Sequence, residues 1–146
     1  MELLTASNSE YLLNGSIEML HKQSTLWIDE VEFWRDELAF FYALIVKKTL
    51  KGFPDNIKTQ VENTEKELVD LSSGDLGDLF DKIISHEVAL SLLLESKYED
   101  EQSYREKHLA IAAKVKEFEL RFKALKKEVF KIVESLEAKT KHIETA

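Results

Sequence analysis

Histidines and the glutamates near them are the residues of this chain with the most chemistry to offer. Glu18 and His21 stand three apart, which on a helix puts both side chains on one face. Glu-x-x-His is part of the pattern that di-iron carboxylate bundles use twice, together with two further glutamates; here a single copy is present. His86 and Glu87 lie in a run of helical periodicity, and His108 continues another such run toward its start. Imidazole nitrogen and carboxylate oxygen suit zinc or iron, so Glu18, His21, His86, Glu87 and His108 form one candidate ligand set. The same residues could instead make a buried polar layer that sets helix register, or a proton-linked switch. Counting from the turns places position 86 opposite about 19–20 if one turn lies near residue 52, which brings it near His21. A second turn near residue 100 places it opposite about 114, roughly 9 Å along the axis from His108. The expectation is therefore a His21–His86 approach with His108 apart. His142 reads as solvated.

Two further carboxylates, Glu30 and Glu37, fall on one line with Gln23 and Leu44, between two apolar rows of the same helix. A carboxylate inside an apolar arc costs free energy unless paired. Inward glutamates of this kind bind metals in ferritin-like bundles; the alternative is pairing with Lys123, Lys126 or Lys131, or solvent in a groove. No Ser-His-Asp order, phosphate-cradling glycine loop or His-Glu-x-x-His is present, and nothing gives Asp75 or Asp78 a role. With zero Cys, disulfides, thiolate catalysis and cysteine zinc sites are excluded. The reading favours a protein that is not an enzyme.

The elements that position these residues are long helices. Hydrophobic residues make up 44% and charged residues 33%, with four Gly and one Pro, a balance that favours helix over strand. Leu13, Ile17, Leu20, Ser24, Trp27, Val31, Trp34, Leu38, Phe41 and Ile45 alternate at spacings of four and three, as do Ile111, Val115, Phe118, Phe122, Leu125, Val129, Ile132 and Leu136. Leu76, Leu79, Ile83, His86, Leu90 and Leu93 continue the theme. This is the repeat of coiled coils and left-handed helical bundles. Gly52-Phe53-Pro54 ends the first helix near Lys51 and opens the second near Pro54. A break around Glu99–Gln102 precedes Ser103-Tyr104-Arg105-Glu106, which reads as a capping box. Ser7-Asn8-Ser9-Glu10 could cap the first helix, unless Asn14-Gly15 delays its start to Ser16. The segments of roughly 43, 45 and 40 residues would each be about 60–68 Å long. They predict one all-α domain over 1–146, an antiparallel up-down-up bundle of three long helices, the middle one kinked or broken near 72–77. The alternative is a four-helix bundle that folds back at Ser72–Gly77.

The first helix has a second apolar row at seven-residue intervals, Leu12, Met19, Leu26, Phe33 and Phe40. A helix with two apolar faces must bury both or associate, so this row predicts a homodimer, or docking of another protein. The two Trp read as core, with a small-molecule or lipid pocket around Trp27 and Trp34 as an alternative. The net charge of −8 argues against nucleic acid. It is uneven, net +4 over 103–146 and net −12 over 1–102. Two acidic helices packing on a basic third explain this most simply; a phosphate-binding strip on the last helix is the alternative. No apolar run could span a bilayer, and the N-terminus lacks signal-peptide features, so the expectation is a cytoplasmic protein with no membrane partner.

His21 with Trp27, then Glu30, Phe33, Asp36-Glu37, the His86-Glu87 pair and Phe118/Phe122 with Leu125 resemble the pattern of a group of small bacterial proteins built from long antiparallel helices. The resemblance covers about residues 20–135. It implies a continuous middle helix and carries no established activity or cofactor. The group has a further His where this chain has Ser24, which weakens a metal site carried over by resemblance. Together these readings describe a non-enzymatic, self-associating interaction or scaffold protein, with a zinc- or iron-binding bundle as the alternative.

Overall fold

A computed structural model of the chain describes residues 16–95 and 101–145, and the side chains of the last helix as far as residue 138. Among the described residues there are three helices and no strand: α1 (Ile17–Thr49), α2 (residues 55–94, joined from several pieces) and α3 (Glu101–Thr145). The Ser16 hydroxyl accepts the Met19 amide at 3.2 Å and caps α1, satisfying one of the donors that a helix start leaves open. α1 thus starts beside Ser16, the later of the two expected positions, and Ser7–Glu10 and Asn14-Gly15 lie outside the described residues. At the far end, Gly52 takes φ +98° and its N–H bonds to the Thr49 carbonyl at 2.9 Å, a conformation open to glycine at little cost.

α2 begins with a 3₁₀ turn, Asp55–Ile57, just past Pro54, and continues as α-helix Lys58–Asp70. Where a break was expected, Leu71–Asp75 forms a π turn that leads directly into α-helix Leu76–Leu94. The buried row shows what the π turn does. Val61, Thr64, Leu68 and Leu71 recur at three and four, and so do Leu76, Leu79, Ile83, His86 and Leu90. Between Leu71 and Leu76 the step is five. An unbroken α-helix would turn Asp75 inward in place of Leu76; the wider turn buries the leucine and keeps the aspartate at the edge. α3 opens at Glu101, so Ser103–Glu106 lies within the helix and does not cap it.

The contacts fall into two compact units, residues 1–32 with 77–118 and residues 33–76 with 119–146. In unit one, Leu20, Trp27, Val31, Leu79, Ile83, Leu90, Ile111, Val115 and Phe118 are buried around four polar or amphipathic side chains: Ser24, His86, Tyr104 and His108. In unit two the core is apolar apart from Thr64. Phe41 meets Phe122 and Phe130 at ring distances of 6.1 and 5.8 Å, and Trp34 meets Phe122 at 6.1 Å. No described helix is long and apolar enough to cross a membrane.

Candidate functional site

The polar side chains of unit one come from three helix stretches. Gln23 and Ser24 lie on α1, His86 and Glu87 on α2, Tyr104 and His108 on α3. His108 is fully buried and His86 nearly so. The His108 Nε2 stands 2.7 Å from the Gln23 Oε1. A carbonyl oxygen only accepts, so Nε2–H of His108 donates and its Nδ1 keeps a lone pair. His86 Nε2 lies 2.8 Å from that Nδ1 and therefore donates to it. His108 is thus a neutral Nε2–H tautomer, and the hydrogen bonds run one way from His86 through His108 to Gln23.

Aromatic rings cover the chain. Tyr104 stacks on His86 with centroids 4.3 Å apart and planes within 5°, and Trp27 stacks on His108 at 4.6 Å. The indole confirms Trp27 as core. Burial, then the neighbouring His86 and Arg105, depresses His108 from its ordinary 6.5 to about 3. Charging it would put a second N–H on Nδ1, facing the N–H of His86. Burial, then Glu87, pushes the Tyr104 phenol up to about 12. The Ser24 and Tyr104 hydroxyls are buried without a hydrogen-bond partner among the described residues, each at a cost of about 1–3 kcal/mol.

The structure sorts the expected ligand set differently from the register count. His86 meets His108, and His21, which is exposed, places its Nδ1 2.9 Å from Glu87 Oε2. The error in the count lies at the second turn. α2 ends at Leu94 and α3 begins at Glu101, so the midpoint falls near 97 rather than 100. A shift of three residues at a turn displaces facing positions by six, which accounts for the separation assigned to His108. Glu18 is exposed at the start of α1. Among the described residues no three His, Asp or Glu side chains are disposed to hold a metal ion. Of the four nitrogens of His86 and His108, three are committed within the chain to Gln23, so the layer does not fit zinc or iron. His142 lies outside the described side chains.

Glu37 is half-buried and pairs with Lys126 at 3.7 Å, one of the lysines expected for it. Glu30 is exposed, a correction to its expected burial: the buried stripe of α1 at 20, 24, 27, 31 and 34 is narrow, and position 30 falls outside it. The second row is exposed throughout the described residues, Met19 at 40%, Leu26 at 55%, Phe33 at 56% and Phe40 at 61%; Leu12 lies outside them.

Two open grooves complete the description. One, in unit two, has about 620 Å³ and is lined by Gln60, Glu67, Arg121 and Leu125 among others. Beside it Arg121 bridges Glu67 at 3.1 Å and Asp75 at 2.8 Å. The other, in unit one, has about 560 Å³ and is lined by Val88, Leu92, Ile111, His86, Lys82, Lys107 and Lys114 among others. Neither is lined by Trp27 or Trp34, where a pocket was considered. No family model, curated protein or solved structure matches the chain, so the resemblance to bacterial long-helix proteins finds no support beyond the all-helical fold.

Sequence reasoning missed Tyr104 and the pairing of Asp75. Tyr104 was absorbed into a capping box, although it stands four residues before His108 in the same row as Ile111 and Val115. Extending that row backward would have found it. Asp75 had no legible signal, because its position depends on the π turn.

Proposed function

We propose that the chain is a non-enzymatic helical interaction protein that associates with further copies of itself through the second face of α1. The observation that carries this reading is the exposed row Met19, Leu26, Phe33 and Phe40. Large apolar side chains in a continuous line along one helix are more than scattered surface residues, and a seven-residue spacing suits packing against another helix. Within unit two we read the helices as running up, down and up. Glu37 faces Lys126 and Lys48 faces Glu137, rising together, whereas Glu67 and Gln60 face Arg121 and Glu128 in opposite order. The imidazole layer then serves register, not catalysis: its directional hydrogen bonds are met in one alignment of the helices.

Sedimentation velocity over a hundredfold concentration range tests the reading. Wild-type protein is expected to associate, and Leu26→Ser/Phe33→Ser/Phe40→Ser to sediment as a monomer with unchanged helicity. A wild-type chain that stays monomeric at the highest concentration ends the proposal. For the metal alternative, zinc or iron added to chelator-treated protein is expected to leave the NMR signals of the His86 and His108 rings in place; stoichiometric metal that shifts them would restore it.

A further inference from the structure

The acidic residues around the exposed row say what it can meet. Leu26, Phe33 and Phe40 are bracketed by Asp29 and Asp36 on one side and by Glu30 and Glu37 on the other, each three or four residues from a row member and thus its neighbour on the helix surface. Glu37 is already paired with Lys126, but two such faces brought together would still set Asp29 and Asp36 of one copy against those of the other, and like charges across an interface oppose association. The row needs a surface that is apolar in the middle and basic at the edges.

The groove of unit one has that pattern. It is lined by the apolar Val88, Ala89, Leu92 and Ile111, by His86, and by Lys82 on α2 and Lys107 and Lys114 on α3, with Asp81 as its one acidic residue. Lys107 and Lys114 are seven residues apart, as are Asp29 and Asp36, so both pairs span about 10.5 Å along their helices. Asp29, Asp36, Lys82 and Lys114 make no ion pair among the described residues, which leaves those charges available to a partner. Resting on the self-association proposed above, we infer that the acidic apolar row of one copy docks into the Lys82–Lys107–Lys114 groove of another, so that copies join head to tail. Such an interface is heterologous, and each added copy presents a further row and a further groove.

Complementation of two defective variants tests this. The row variant is Leu26→Ser/Phe33→Ser/Phe40→Ser, and the groove variant is Lys82→Glu/Lys107→Glu/Lys114→Glu; all six side chains are at the surface or groove, and circular dichroism checks that both fold. Each variant alone is expected to be monomeric by sedimentation. Mixed one to one, they are expected to form a dimer and nothing larger, because one retains a row and the other a groove. Wild-type association is expected to weaken by roughly tenfold as salt screens the charges from 0.05 to 0.5 M. If the groove variant associates like wild type while the row variant does not, the row pairs with itself: the inference falls and the proposed function stands. If mixing gives no dimer, or salt strengthens association, the inference falls likewise. Loss of 1-anilinonaphthalene-8-sulfonate binding in a groove variant that still associates would assign the groove to anionic amphiphiles instead. A monomeric wild type overturns both readings together.

Discussion

In the core of unit one stand two imidazoles, a phenol and a hydroxyl; in the core of unit two, Phe122 meets Trp34 and Phe41, and Thr64 is the one buried polar residue among those described. Ionic contacts join helices in both units. Unit two ties its helices with Lys48–Glu137, Lys126–Glu37 and the Arg121 bridge to Glu67 and Asp75, and in unit one His21 on α1 meets Glu87 on α2. Apolar rings are satisfied by volume, so many alignments come close to filling the same space. Imidazoles are satisfied by direction, and a helix that slips by one turn leaves a buried N–H unmet. The contrast predicts that unit two carries more of the stability and that unit one fixes alignment.

The contrast can be broken most forcefully in unit two. Phe122→Ala removes a ring that touches both Trp34 and Phe41, and is expected to cost about 3–5 kcal/mol in urea unfolding. In unit one, His108→Leu strands the donor of His86 and the oxygen of Gln23, and is expected to cost about 2–3 kcal/mol. The triple change Gln23→Leu/His86→Leu/His108→Leu leaves no stranded partner and is expected to recover most of that loss, while broadening the amide spectrum of unit one if alignment depends on the layer. A triple variant less stable than the single one would show that the layer holds unit one together by strength.

Acid sharpens the same comparison. His108 binds its proton at about 3 in the folded chain against an ordinary 6.5. Between these values the unfolded chain binds a proton that the folded chain does not, so stability is highest above pH 6.5 and falls as pH drops, by up to about 1.4 kcal/mol per pH unit from this group. Melting temperatures from pH 7.5 to 4.5 should decline less steeply in the triple variant. Smallest of all, Arg121→Met is expected to cost at most about 1 kcal/mol, since its bridge is partly open to solvent, and Tyr104→Phe to be neutral or slightly stabilising, because the hydroxyl it removes has no partner.

Helix content and the buried rows were legible in the sequence because a spacing of three and four is written directly in residue type. Every described member of the first row from Leu20 to Ile45 is buried. The exposure of Met19, Leu26, Phe33 and Phe40 was legible for the same reason. Which histidines meet was not, because facing positions depend on the sum of two turn locations, and the turn before Glu101 had no glycine or proline to mark it. Glu37 was read with its lysine, while Glu30 was misjudged because periodicity gives the angle of a side chain but not the width of the surface that covers it.

The π turn at Leu71–Asp75 also bears on chain length. A residue added to a helix must either rotate everything downstream or be taken up in one widened turn, and the step of five between Leu71 and Leu76 has the form of the second outcome. The chain thus carries one residue more than its repeat requires. Deleting Ser73 would restore steps of three and four from Val61 to Leu90, so a chain of the same fold without the π turn should be one residue shorter there and keep its spacing elsewhere in α2.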